Sequence, residues 1–155
     1  MRFSDLIVPD AVELNLRNRT KDSVIKSLVK RVAVAHGLTE KDVLDRVLER
    51  ERALSTGVGQ GVAVPHTTLI GLNKPVVALG RTKQGIAFDS IDGEPVRLIF
   101  LLLSPDGDVP LHLKLLSRIS RLCQQPTLRK DLLDATSHDT ITAAIQRAEH
   151  SFQDL

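Results

Sequence analysis

The chain has no tryptophan, no tyrosine and only four phenylalanines among its 155 residues. Aromatic platforms on which bases or sugars could stack are therefore scarce. It has a single cysteine, Cys123, so no internal disulfide can form and a reducing compartment is favoured. The longest apolar run, Leu98 to Leu103, is far too short to span a bilayer. The N-terminal stretch MRFSDLIVPDAVEL carries acids early and has no apolar segment of the signal-peptide kind. Neither sign of charge dominates. Lys and Arg number 21 against 19 Asp and Glu, a formal net charge of +2, and the two signs are interspersed, so no electrostatic footprint for nucleic acid is present. What remains is an ordinary globular composition, 42% apolar and 26% charged, long enough to bury a real core. The expectation is a cytoplasmic protein in which residues 1–155 form a single domain without internal repeats, linkers or membrane insertion.

The apolar pattern predicts the following elements. Asp22 to Ala35 has Val24, Ile25, Leu28, Val32 and Ala35 at helical spacing, and Gly37 supplies a C-terminal stop. Thr39 opens a second helix, running to about Arg50 or Ala53, with Asp42 three residues on in the manner of a capping box. The alternating glycines Gly57, Gly59 and Gly61 exclude a stable helix and let the backbone turn sharply. Val62 to Val64 reads as a short strand ended by Pro65, and Val76 to Thr82 as a second strand after the Asn73–Pro75 turn. Ile86 to Phe88 reads as a short extended piece, and Asp92–Gly93 as a tight turn. Val96 to Leu103 is apolar almost throughout, as a central strand covered on both faces should be. Helices follow at Pro110 to Cys123, Thr127 to Ala135 and Asp139 to Glu149, the last with Ser137 as its N-cap. This order suits an α/β or α+β domain: a mixed β-sheet of about five strands flanked by helices on both faces.

Five histidines are candidates for chemistry. His36, His138 and His150 read as solvated surface residues. His66 follows a glycine-rich loop, a strand and a proline, which places a reachable imidazole on a stiff backbone at a strand end. Position alone leaves two readings open, a site residue or a side chain that merely caps the strand. His112 lies in the first turn of a helix, where free N–H groups attract anions and disfavour imidazolium; a first-turn histidine without a role is the competing reading. Other chemistries lack their patterns. There is no HExxH and no Cys–His cluster for zinc, and no GxSxG elbow. GVGQGV precedes no helix with Lys-Ser or Lys-Thr, and Asp106 and Asp108 begin a calcium loop that is not completed. Cys123 falls on the buried stripe of a helix.

The segment LERERALSTGVGQGVAVPH resembles the active-site segment of enzyme IIA domains of the bacterial phosphotransferase system, in the fructose–mannitol and nitrogen-regulatory superfamily. The residues that carry the likeness are Arg50, Glu51, Ser55, Thr56, Gly57, Gly59, Gly61, Val62, Ala63, Val64, Pro65 and His66. GIAFDSIDGEPVRLIFLLLSP is similar to the family's hairpin and central strand, and HLKLLSRISRLC to its segment with a second histidine. The likeness runs from about residue 6 to 150. It implies a mixed sheet flanked by helices, and a phosphotransferase component that accepts phosphate on a histidine from a small histidine phosphocarrier protein. The acceptor in turn would be an enzyme IIB domain or a regulatory target. By position, His66 would be the phosphoacceptor reacting through Nε2, Arg50 the phosphate-facing cation and His112 the second active-site histidine. N–H groups of the loop of Gly57, Gly59 and Gly61 would cradle the phosphate, and no metal or organic cofactor would be needed. Arg52 competes with Arg50 on spacing, and only the motif selects Arg50. The one departure is Thr67, where the family places Gly, Ala or Cys; its hydroxyl would either crowd the phosphate or donate to it.

Three functions are compatible with this resemblance. A stand-alone phosphocarrier of the nitrogen-regulatory type is expected first. A sugar-transport IIA serving a fructose or mannitol IIB shares its chemistry. A binding module that has lost phosphoryl transfer is the third, suggested by Thr67 and opposed by the intact His66, Arg50 and His112.

Overall fold

The computed structural model describes residues 2–151. Strand β1 (Val12–Leu16) follows two short 3-10 turns, Phe3–Leu6 and Pro9–Ala11. Helices α1 (Lys21–His36) and α2 (Glu40–Ala53) come next. The strands β2 (Gly57–Gly59), β3 (Val62–Ala63), β4 (His66–Leu69), β5 (Val76–Ile86) and β6 (Val96–Pro105) complete the sheet. The chain then continues as α3 (Val109–Cys123), α4 (Pro126–Asp134) and α5 (His138–His150).

The six strands form one mixed sheet in the order β1-β5-β6-β3-β2, and β4 pairs with β6 beyond β3. β5 and β6 are antiparallel, whereas β1 runs parallel to β5, and β3 and β4 run parallel to β6. The expected layered fold is therefore present. Alternation along β6 divides its side chains between two cores. Leu98, Phe100 and Leu102 pack with Leu115, Ile119, Leu132 and Ile141 from α3, α4 and α5. Ile99, Leu101 and Leu103 pack with Ile25, Leu28, Val43 and Val47 from α1 and α2. Each such side chain, fully buried, contributes about 1.5–3 kcal/mol.

Local chemistry sets the helix ends. Thr20 caps α1 by accepting from the Ser23 N–H, and Gly37 closes it in the left-handed region at φ 67°. Ser137 and Thr140 form a reciprocal capping box at α5. The box expected at Thr39 does not form: Thr39 is the N-cap of α2, but its side chain makes no capping hydrogen bond.

Four boundaries differ from expectation in ways that bear on the site. Pro65 does not end the strand. The chain resumes at His66 as β4 beside the same β6, with the Pro65 carbonyl accepting from Leu102 N–H, so His66 opens a strand. The glycine segment is not an open loop but β2 of a tight hairpin with β3, turned at Gln60 and Gly61 with φ of 60° and 76°. β5 continues through Ile86, because antiparallel pairing with β6 holds a polar stretch that its own pattern would not. The turn before β6 spans Ser90 to Gly93, closed by Gly93 N–H to Ser90 carbonyl at 3.0 Å. β1 had no sequence forecast at all; parallel pairing with β5 makes it a strand.

Candidate functional site

His66 and Leu102 are register partners across β4 and β6, so His66 faces the same side as Leu102, toward α3. α3 begins just past the end of β6, with the Asp108 carboxylate capping Leu111 N–H at 3.2 Å and Pro110 in the first turn. This brings His112 over the sheet. The two imidazoles meet with ring centroids 5.2 Å apart and planes tilted by 50°.

The His66 ring is held by its own backbone. Nδ1 lies 2.7 Å from the carbonyl oxygen of Val64. A carbonyl only accepts, so Nδ1 carries the hydrogen, and Nε2 of the neutral ring carries the lone pair. Burial keeps His66 below the usual imidazole pKa; the Val64 hydrogen bond opposes this, and the positive charge of Arg50 and the His112 ring reinforce it. His112 is also held below its usual value, first by burial and then by Arg50. Both rings are thus kept neutral, and His66 presents a nucleophilic nitrogen.

Arg50 is in the last turn of α2 and donates from Nη1 to the Leu54 carbonyl at 3.2 Å. No carboxylate pairs with it among the described residues. Its charge acts on both histidines, whereas Arg52 is exposed and has no such effect on either ring. The structure therefore separates two arginines that spacing could not.

Glu51, beside it, turns inward. It is only 4% exposed and accepts from Thr56 N–H and from Thr56 Oγ1 at 2.6 Å, with Lys21 Nζ 3.6 Å away. Burial pushes its carboxyl above the usual value, against the Thr56 hydroxyl, the Lys21 charge and the Thr56 N–H. The Arg-Glu and Ser-Thr parts of the motif thus divide their work: Glu51 and Thr56 lock the end of α2 onto the chain entering β2, and the charge of Arg50 acts on the rings.

The three glycines of the motif are not equivalent. The Gly57 N–H is engaged by Ser55 Oγ at 3.2 Å, and a Cβ at Gly57 would lie 2.3 Å from Ser90 Oγ. At Gly59, φ is 91° and the Asp92 carboxylate stands where a Cβ would approach it. The Gly61 carbonyl accepts from the N–H groups of Arg97 and Leu98. Gly57 and Gly59 thus fit the hairpin closely against the loop that precedes β6, and Gly61 bonds it to β6. Asp92, exposed, accepts from Gln60 and Glu94 N–H, which hold its carboxyl below the usual range.

Thr67 pairs with Leu103 and shares its face with Leu69, both in the core under α1 and α2. Its side chain therefore points away from the His66 ring, and Oγ1 donates to the Thr68 carbonyl at 3.4 Å. Adjacency in sequence had suggested a hydroxyl next to the phosphate; strand alternation sends it to the other side of the sheet.

Sequence reasoning missed Ser104. It is fully buried at the end of β6, and its Oγ lies 2.7 Å from His112 Nδ1. The available signal was a lone hydroxyl closing an apolar strand, eight residues before a histidine. Of the remaining histidines, His150 is exposed as expected. His138 is not a solvated residue: it is half-buried, and its Nε2 lies 2.8 Å from the Ile7 carbonyl, tying α5 to the N-terminal turns. His36 is likewise half-buried, with Nε2 enclosed and without a hydrogen-bond partner among the described residues. Cys123 is buried, and burial pushes its thiol up to about 12, so it is inert as a nucleophile at neutral pH. Among the described residues no three His, Cys, Asp or Glu side chains are grouped to hold a metal ion. No described helix is long and apolar enough to cross a membrane.

The family model described as "Phosphoenolpyruvate-dependent sugar phosphotransferase system, EIIA 2" matches residues 5–148, and the chain belongs to that family. It is accordingly a phosphotransferase component. The nitrogen regulatory protein of Bradyrhizobium diazoefficiens is 39% identical over 132 residues, covering 85% of this chain and 86% of that protein. The fructose-specific EIIABC component of Bacillus subtilis is 34% identical over 148 residues, covering 95% of this chain; the chain spans only 23% of that longer protein. Among solved structures, the nitrogen regulatory protein IIA-Ntr of Neisseria meningitidis superposes with a TM-score of 0.83 at 29% identity, covering 92% of this chain and 97% of that one.

Proposed function

We propose that the chain is a phosphoryl carrier that accepts phosphate on Nε2 of His66 from a histidine phosphocarrier protein in the cytoplasm and passes it on. The observation that carries this reading is the 2.7 Å contact between His66 Nδ1 and the Val64 carbonyl, which leaves Nε2 bare in a neutral ring. In the transfer, the bond from phosphorus to the donor's nitrogen breaks as the bond to Nε2 forms, with the two nitrogens in line. Charge on the three phosphoryl oxygens is met by Arg50, whose planar fork has no carboxylate competing for it among the described residues. His112 supplies a second neutral polar group. Gly57, Gly59 and Gly61 serve the site through the shape of the hairpin that delivers Pro65 and His66. Thr67 faces away from the ring and takes no part in the transfer.

Exposed apolar side chains lie on the segments that bear the site: Leu54 after α2, Ile70 after β4, and Val109 and Leu113 on α3. They suit transient docking of a donor or acceptor protein. The likeness to nitrogen regulatory proteins supports a regulatory phosphocarrier, binding its targets according to phosphorylation state. A sugar-transport role, handing phosphate to an enzyme IIB, is the second reading, supported by the likeness to a fructose-specific component. Incubation with enzyme I, a histidine phosphocarrier and labelled phosphoenolpyruvate tests the shared chemistry. Acid-labile label on the wild type that is lost in His66→Ala is the expected result. Failure to label with several phosphocarriers would instead leave a binding module without transfer.

A further inference from the structure

On the face of β6 that meets α3, Leu98, Phe100 and Leu102 are followed by Ser104, a polar side chain that is fully buried. Its hydroxyl has one hydrogen-bond partner among the described residues, Nδ1 of His112 at 2.7 Å. We propose that Ser104 is a positioning residue for phosphoryl transfer: its hydroxyl donates to His112 Nδ1 and holds that ring in the tautomer with hydrogen on Nε2. The proposal rests on the reading that His66 carries the phosphoryl group.

The direction of the bond follows from counting protons. A serine hydroxyl has one proton to donate and lone pairs to accept. Were Nδ1–H the donor, the Ser104 proton would be left in the core with no acceptor among the described residues, and an unmade buried donor is costly. Donation by Ser104 to a bare Nδ1 satisfies that proton. The neutral His112 ring must then carry its hydrogen on Nε2. His66 has the opposite arrangement, with hydrogen on Nδ1 toward Val64 and Nε2 bare. The two rings, 5.2 Å apart, thus offer one nucleophile and one donor. A donor on a neutral ring stabilises phosphoryl oxygens without adding a full charge that would oppose release. Burial and the Arg50 charge favour the same neutral state of His112.

The test is a long-range proton–nitrogen correlation spectrum of the full chain labelled with nitrogen-15, which separates hydrogen-bearing from bare imidazole nitrogens. The expected spectrum shows hydrogen on Nε2 of His112 in the wild type and in Ser104→Thr, and mixed tautomers in Ser104→Ala. Hydrogen on Nδ1 of His112 in the wild type overturns the proposal. In labelling experiments Ser104→Ala should slow phosphate uptake by about tenfold, the effect of one ordinary hydrogen bond. It should have no further effect once His112→Ala is present. Equal slowing in the two backgrounds would show that Ser104 does not act through His112. The spectrum does not depend on phosphate. Absence of label on His66 with the expected spectrum would therefore refute the carrier reading and the positioning role, and leave the tautomer assignment standing.

Discussion

Arg81 and Arg50 serve the same sheet with very different company. Arg81, opposite Leu98 near the start of β6, donates from Nε to the Leu14 carbonyl at 3.0 Å. Its Nη1 donates to the carbonyls of Leu132, Leu133 and Ala135 at 3.0, 3.0 and 2.7 Å. It thereby closes the C-terminal end of α4, where carbonyls lack helical partners and a cation is favourable. Arg50 acts on His66, opposite Leu102 toward the far end of β6, and among the described residues has only the Leu54 carbonyl. Arg31 on α1 is likewise satisfied by the fold, paired with Glu13 of β1. A guanidinium whose donors are filled by the fold is structural. One left largely unfilled beside two neutral histidines has capacity for an anion that comes and goes.

Arg50→Ala should slow phosphate uptake by about 100-fold, the order found when one transition-state donor is removed, while leaving the unfolding midpoint nearly unchanged. Stopped labelling time courses and urea titration measure the two. Arg81→Ala should do the reverse: it strips α4 of its cap and costs about 2 kcal/mol of stability, seen as a lower urea midpoint, with labelling per folded molecule unchanged. If Arg81→Ala slows labelling and Arg50→Ala unfolds the chain, the assignment of the two arginines is inverted.

Arg50 disfavours the imidazolium form of both rings, so its removal raises both pKa values. The acid-side loss of phosphate uptake should therefore move to higher pH in Arg50→Ala and stay in place in Arg81→Ala. A shift to lower pH, or none, would contradict the account. The smallest effect is expected at Thr67. Because its hydroxyl lies on the opposite face from the His66 ring, Thr67→Ala should change the uptake rate by less than about twofold; a tenfold change would show that Thr67 does reach the phosphate.

Much of this was legible in the residues. The helices follow apolar spacing and clear boundary residues, such as Gly37 at the end of α1 and Ser137 at the start of α5, and β6 announced itself by its unbroken apolar run. The motif groups His66, Arg50 and His112, though bare position leaves each histidine with a bland alternative. What was not legible depends on pairing. β1 is a strand only because β5 lies beside it, and β4 exists only because Pro65 is accommodated alongside β6. The faces of Thr67 and Ser104 follow from strand register, which no local pattern reports. Arg50 and Arg52 differ by a rotation about the helix that spacing alone left unresolved; the charge of Arg50 acts on both rings, and Arg52 is exposed.

The central claim is that the fold prepares Nε2 of His66, and not Nδ1, to take the phosphoryl group. The direct measurement is the position of phosphate on the ring, read from phosphorus–nitrogen and proton–nitrogen couplings in the phosphorylated, nitrogen-15-labelled protein. The account predicts phosphate on Nε2 of His66 with hydrogen retained on Nδ1 toward Val64. Phosphate on Nδ1, or on His112 while His66 stays free, would contradict it.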